Sequence, residues 1–246
     1  MRAPSEEPVR VSPSRAPAAV AAVERWSGAH ARAAVGVAVL DRRTGDLVVG
    51  SAGSEPMYAA SLTKLVLVVD VLERGLDGAR VRELVRRMLG PSDDAAMNEL
   101  WSRFGGQDAV RRVAARLELH DTRPPERPGW WGEAATSARD VAVVYRHVLT
   151  SVDAADRRLI LGSLNAAPER AADGFDQNIG LMRVGGRAVK TAWACCSEGR
   201  VWTHSAGLWE QRYAVALLLG EPSSSGYGRA GADLTAAAEV AARALR

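Results

Sequence analysis

Ser61-Leu62-Thr63-Lys64-Leu65-Val66-Leu67-Val68-Val69-Asp70-Val71-Leu72 is the stretch on which the reading of this chain turns. Leu62, Leu65, Val66, Val69 and Leu72 recur at helical spacing until Gly75, which predicts a helix beginning at Ser61. Ser61 and Lys64 are three apart at its start, so their side chains share a face and the amine can reach the hydroxyl. That geometry suits a serine nucleophile with a lysine base. A lysine acts as a base only where burial or a second cation lowers its proton affinity. Of the 32 basic residues only two are lysine, Lys64 and Lys190, the latter in Val189-Lys190-Thr191-Ala192. Arginine keeps its proton, so these two positions call for a compact cation or a titratable amine.

Toward the N-terminus the pattern predicts a helix over Ala18–His30, a strand over Ala34–Leu40, a turn at Arg43-Thr44-Gly45-Asp46 and a second strand over Leu47–Val49. Toward the C-terminus it predicts helices over Val81–Leu89, Asp94–Phe104, Asp108–Leu117 and Ser137–Leu149, with breaks at Gly105-Gly106 and at the proline-rich loop Arg123–Gly132. Strands follow at Ala188–Ala194, Val201–Ser205 and Tyr213–Leu219, then an alanine-rich helix over Gly228–Arg246. The expected fold is α/β plus all-α. Residues 18–54 and 185–246 form an antiparallel sheet domain with terminal helices, residues 55–184 an inserted all-α domain, and residues 1–17 a flexible tail. Two lobes imply a cleft between them.

Three short strings would meet there: Ser61-Leu62-Thr63-Lys64, Ser92-Asp93-Asp94-Ala95-Ala96-Met97-Asn98 and Lys190-Thr191-Ala192-Trp193. Each alone also has an ordinary reading, as a helix cap, a helix start and an edge strand carrying a charge. Their order and context resemble the penicillin-recognising serine enzymes, which include class A beta-lactamases and D-alanyl-D-alanine peptidases. Trp131-Gly132 and Thr136-Ser137-Ala138-Arg139-Asp140 add a likeness to a compact group of actinobacterial serine hydrolases related to class A. The resemblance covers most of Ala18–Arg246 and implies the beta-lactamase/transpeptidase-like fold. It implies that Ser61 attacks an amide or lactam carbonyl, that Lys64 takes its proton, and that Ser92 relays a proton to the departing nitrogen. Asp94 would face the substrate side chain, and Lys190 and Thr191 would hold a substrate carboxylate. Backbone N–H groups of Ser61 and Trp193 would form the oxyanion hole.

Several positions depart from that family. Asp94 stands where it usually has Asn, so an amide donor becomes a group that only accepts when ionised, which weakens penicillin binding. Ala192 replaces a glycine; with Thr191 toward substrate, strand alternation sends the added methyl to the helix behind. The stretch from Ser61 to Ser92 is short, implying a trimmed helical lobe. In the loop Asp121–Ala135 the glutamate followed by Leu-Asn that activates water for deacylation is absent; Glu126 and Glu133 are the carboxylates available there. Without a positioned base, an acyl group on Ser61 is long-lived or passes to another nucleophile.

With 246 residues, 47% of them hydrophobic, the chain can bury a sizeable core, and its net charge of +3 with interspersed signs gives no reason to expect a nucleic-acid partner. The apolar runs fall short of the roughly 18 to 20 residues of a membrane span. His204 on a predicted strand could reach the cleft but reads first as a packed or surface histidine, His30, His120 and His147 show no metal spacing, and no metal or organic cofactor is expected. Cys195 and Cys196 are adjacent, too close for ordinary disulfide geometry, and leave the redox compartment open. Met1–Pro17 carries no export signal, which reads as cytoplasmic, or as extracytoplasmic if a leader once preceded it. The expectation is a monomer that forms an acyl-enzyme on Ser61 from a beta-lactam, a D-alanyl-D-alanine-like peptide or a biosynthetic acyl donor. The competing expectation is an envelope-associated binding protein that kept the fold without turnover.

Overall fold

The computed structural model describes residues 12–30 and 33–246. Helix α1 (Ala16–Ala29) is followed by strands β1 (Ala34–Asp41), β2 (Leu47–Val49) and β3 (Met57–Tyr58), then by helices α2 (Thr63–Glu73), α3 (Ala79–Leu89), α4 (Asp94–Phe104) and α5 (Gly106–Leu117). Strand β4 (Ala135–Thr136), helices α6 (Ala138–Thr150) and α7 (Ala154–Asn165), strands β5 (Arg187–Cys195), β6 (Arg200–Trp209) and β7 (Tyr213–Pro222), and helix α8 (Gly226–Leu245) complete the chain. Of the expected tail, residues 1–11 lie outside the described residues, and Ala16 and Pro17 already belong to α1, where proline suits a first helical turn.

Five strands form one antiparallel sheet in the order β2-β1-β7-β6-β5. Alternation along β1 and β7 sends Val35, Val37, Val39, Val215, Leu217 and Leu219 into a cluster with Ala19, Val23, Leu234 and Ala238 of α1 and α8. The opposite face mixes alanines with Leu40, Trp202, Leu208 and Leu218. Ala38, Ala188, Ala192, Ala206, Ala214 and Ala216 join a second cluster with Leu65 and Val69 of α2 and Val141 and Val144 of α6, and their short side chains let helices approach the sheet closely. Among the described residues no helix is long and apolar enough to cross a membrane.

The middle of the chain is not wholly helical. Met57 pairs with Thr136 and Tyr58 with Ala135, a two-stranded ladder too short to announce itself by alternation. Helix α7, which lacks a sharp apolar face, buries Leu159, Ile160 and Leu164. Two buried carboxylates tie this region together. Asp70 of α2 accepts two bonds from Arg112 of α5, both at 2.8 Å. Asp140 accepts from Asp121 N, Thr122 Oγ1 and Arg139, while Ser137 caps α6 by accepting from Asp140 N.

Strand β5 carries a bulge just before Lys190. Arg187 faces Leu208 and Lys190 faces Ala206, so Ala188 and Val189 oppose Gly207 alone. A Cβ at Gly207 would stand 2.7 Å from Val189 Cγ2 and 2.9 Å from Val189 Cα, which explains the glycine. The Tyr145 hydroxyl of α6 lies 2.9 Å and 2.8 Å from the carbonyl oxygens of Ala188 and Ala206, occupying acceptors that the bulge frees. The bulge re-aims Lys190.

His204 of β6 is buried. Its Nε2 lies 2.8 Å from the Tyr58 carbonyl oxygen, and its Nδ1 accepts the Leu219 amide at 3.2 Å, a pair of partners that only the neutral Nε2–H tautomer satisfies. Burial pushes its pKa down to about 4 from 6.5. Below pH 6.5 the unfolded chain therefore binds a proton that the folded chain refuses, and stability falls as pH drops until about pH 4, by about 3 kcal/mol. A His204→Gln variant is expected to lose less melting temperature than the wild type between pH 7 and pH 4; parallel curves would remove His204 as the cause.

Candidate active site

Ser61 sits in a single tight turn, Ala60–Leu62, that feeds directly into α2. Ala60 before it has φ 46°, and Ser92, at the junction of α3 and α4, has φ 57°. Both lie in the left-handed region that residues with a Cβ avoid, at a cost of about 1–3 kcal/mol each. Helix α4 begins immediately beyond Ser92, capped by Asp93, whose carboxylate accepts from Ala95 N and Ala96 N and from Arg87.

The two strained turns and the bulged strand converge on the Ser92 hydroxyl. Lys64 Nζ donates to it at 3.0 Å, Lys190 Nζ donates to it at 2.9 Å, and Ser92 Oγ donates to Ser61 Oγ at 3.1 Å. A hydroxyl has two acceptor sites and one proton, and all three are used. Ser61 is 5% exposed, Lys190 1% and Lys64 0%. Lys64 also donates to Ser92 O at 2.7 Å and to Asp94 Oδ1 at 2.6 Å. Three bonds use all the protons of an ammonium, so this arrangement holds Lys64 charged, with the Trp131 ring 5.0 Å from its Nζ. The expected direct contact of amine and nucleophile is replaced by a path through Ser92.

Burial pushes the Lys64 pKa below its ordinary value, and the adjacent Asp94 carboxylate opposes that push. Lys190 is pushed well below, first by burial and then by the Lys64 charge, against the pull of Asp94 and Asp173. A neutral Lys64 would have a lone pair for the Ser92 proton. The bonds can then reverse, so that Ser61 donates to Ser92 and Ser92 to Lys64. Such a chain is able to move a proton off Ser61.

A protein-family model described as the beta-lactamase enzyme family matches residues 75–245, the part of the chain that holds Ser92, Asp94 and Lys190. The chain belongs to this beta-lactamase family. Its curated relatives include the proteins named "Putative lipoprotein LppW" of Mycobacterium tuberculosis H37Rv and Mycobacterium bovis, each 32% identical over 80% of this chain and 67% of the relative. The fold matches solved structures of a class A beta-lactamase from Mycobacterium abscessus, with TM-score 0.71 and 18% identity over 92% of this chain and 98% of that one. It also matches the beta-lactamase of Streptomyces albus G, with TM-score 0.70 and 20% identity over 92% and 100%.

Other positions of this beta-lactamase-family chain fall differently from the expectation. The Thr191 hydroxyl donates to Gln177 O at 3.0 Å, on the sheet face that also carries its cross-strand partner Ser205, whose Oγ accepts the Leu181 amide. It is thus turned from the face that carries Lys190. Ala192 takes the Lys190 face instead and is packed in the cluster with Ala60 and Leu62, so the added methyl points to the helical side rather than behind the sheet. Ala188, Lys190 and Ala192 share one face and Val189 and Thr191 the other, so alternation itself forbids Lys190 and Thr191 from facing the substrate together. Trp193 stacks on Phe175, with ring centroids 4.2 Å apart, and donates from Nε1 to Asp173 Oδ2 at 3.0 Å.

Neither loop carboxylate joins the serine–lysine cluster. Glu133 pairs with Arg127, and Glu133 and Glu126 line a separate cavity of about 620 Å³ with Tyr58, Arg123 and Trp202. The loop instead presents Trp131, whose carbonyl accepts from Thr63 Oγ1 and whose Nε1 donates to Asn98 Oδ1. Cys195 and Cys196 form a disulfide between neighbours, with Cα atoms 3.1 Å apart, closer than in ordinary disulfide geometry. Asp173 and Gln177 are site neighbours that the sequence did not single out. They sit in an irregular segment with no pattern to read.

Proposed function

We propose that the protein is a serine acyl-enzyme former of the beta-lactamase type, acting on a beta-lactam or a D-alanyl-D-alanine-like amide. The observation that supports this most directly is the single Ser92 hydroxyl shared by Ser61, Lys64 and Lys190. With Lys64 neutral, Ser61 Oγ bonds to the substrate carbonyl carbon while its proton moves to Ser92 and the Ser92 proton to Lys64. The tetrahedral oxyanion is met by the N–H groups of Ser61 and Trp193, the latter on the edge strand of the sheet. The C–N bond then breaks, and the nitrogen takes the proton back from Lys64 through Ser92, leaving an ester on Ser61.

Placement of Glu126 and Glu133 in another cavity favours slow release, as in a D,D-peptidase or a biosynthetic acyltransferase whose ester awaits an incoming nucleophile. Intact-protein mass spectrometry after overnight incubation with benzylpenicillin is expected to show one added penicillin, absent in Ser61→Ala, persisting for hours after excess reagent is removed. An unmodified protein would overturn the acylating reading. Decay within seconds would overturn slow release and favour a working beta-lactamase.

A further inference from the structure

The charge pattern at the mouth of the cleft bears on which acyl donors enter it. Asp94 uses Oδ1 for Lys64, and its side chain is 56% exposed. Across Ser92 lies the loop carrying Asp173, anchored by Ala172 N donating to Pro91 O at 2.7 Å and by Asp173 Oδ1 accepting from Phe175 N. Asp173 is exposed, and its other oxygen meets the Trp193 indole. The fields of both carboxylates reach both buried lysines.

The groups that would receive an anion are largely engaged within the protein. Lys190 gives two of its three protons to Ser92 Oγ and Thr191 O, and Thr191 gives its hydroxyl proton to Gln177 O. Lys64 is already neutralised by Asp94 at 2.6 Å. A ligand over Ser61 thus meets two carboxylates with accepting capacity, and carboxylates offer no proton to a substrate carbonyl.

We infer that the acyl donor of this site carries a free amine or ammonium group beside its scissile carbonyl, bound by Asp94 with Asp173 adding its field, rather than an acylated amine presenting a carbonyl. This rests on the acylating reading of Ser61 and names its substrate class. An ammonium completes the open oxygen of Asp94 with a charge-assisted bond, whereas an acylamido group has only a neutral N–H and brings a carbonyl oxygen toward the carboxylate.

The test uses D-alanine p-nitroanilide and N-acetyl-D-alanine p-nitroanilide as protectants of the wild-type protein against a fluorescent fluorophosphonate, a neutral serine-reactive probe. The free-amine compound is expected to protect at a concentration at least about tenfold lower, the order of one charge-assisted hydrogen bond. Asp94→Asn is expected to bring the two compounds to near parity. Equal protection in the wild type, better protection by the acetylated compound, or protection by neither overturns the inference while leaving a reactive Ser61. Absence of Ser61-dependent fluorophosphonate labelling overturns both the inference and the reading beneath it.

Discussion

Lys64→Arg is expected to slow acylation of Ser61 by about 10³-fold, although the positive charge is kept, because a positioned base contributes about 10²–10⁴-fold and guanidinium accepts no proton. The measurement is the rate of penicillin adduct formation by intact mass. A rate within a few-fold of wild type would remove Lys64 as the base. The same group sets the pH response. Acylation needs the neutral amine, so the rate rises with pH through the Lys64 pKa, which burial lowers and Asp94 partly restores. Asp94→Asn removes the carboxylate that favours the ammonium, so the rising limb is expected to move to lower pH; movement to higher pH would contradict the ion-pair account.

Ser92 carries the second large effect. Removing its hydroxyl breaks the only link between Lys64 and Ser61 among the described residues and deprives each lysine of a partner. Both Ser92→Ala and Ser92→Gly are expected to slow acylation by about 10²-fold or more. They should differ in stability. At φ 57° alanine keeps the backbone strain that glycine does not feel, so the glycine variant is expected to melt higher while acylating no faster. Acylation at the wild-type rate in either variant would mean that the proton leaves Ser61 by another route.

Much of the architecture was legible because periodicity is a local property. The alternation in β1 and β7 and the 3.6-residue recurrence in α2 each arise from burying one face, and burial of one face leaves its mark in consecutive residues. The ladder of β3 with β4 left no mark, since two residues per strand cannot show a period and their partners lie far apart in the chain. The bulge at Ala188 and Val189 was equally silent, whereas the faces of Thr191 and Ala192 follow plain alternation once Lys190 is turned to the serines.

Two retained lysines in an arginine-rich chain, and three short strings in a fixed order, sufficed to name the residues that now surround Ser92. Residue type limits chemistry: a lysine amine, unlike a guanidinium, can serve as cation or as base, and a hydroxyl can accept from two donors while giving its proton to a third group. Which contacts those groups make was decided by folding, because most competing partners come from other segments of the chain. Asp94 captured Lys64, Gln177 captured Thr191, Arg127 captured Glu133, and Asp173 arrived beside Trp193. A hydrogen bond is won by whichever acceptor the packed core brings within about 3 Å, and that distance is a property of the whole chain.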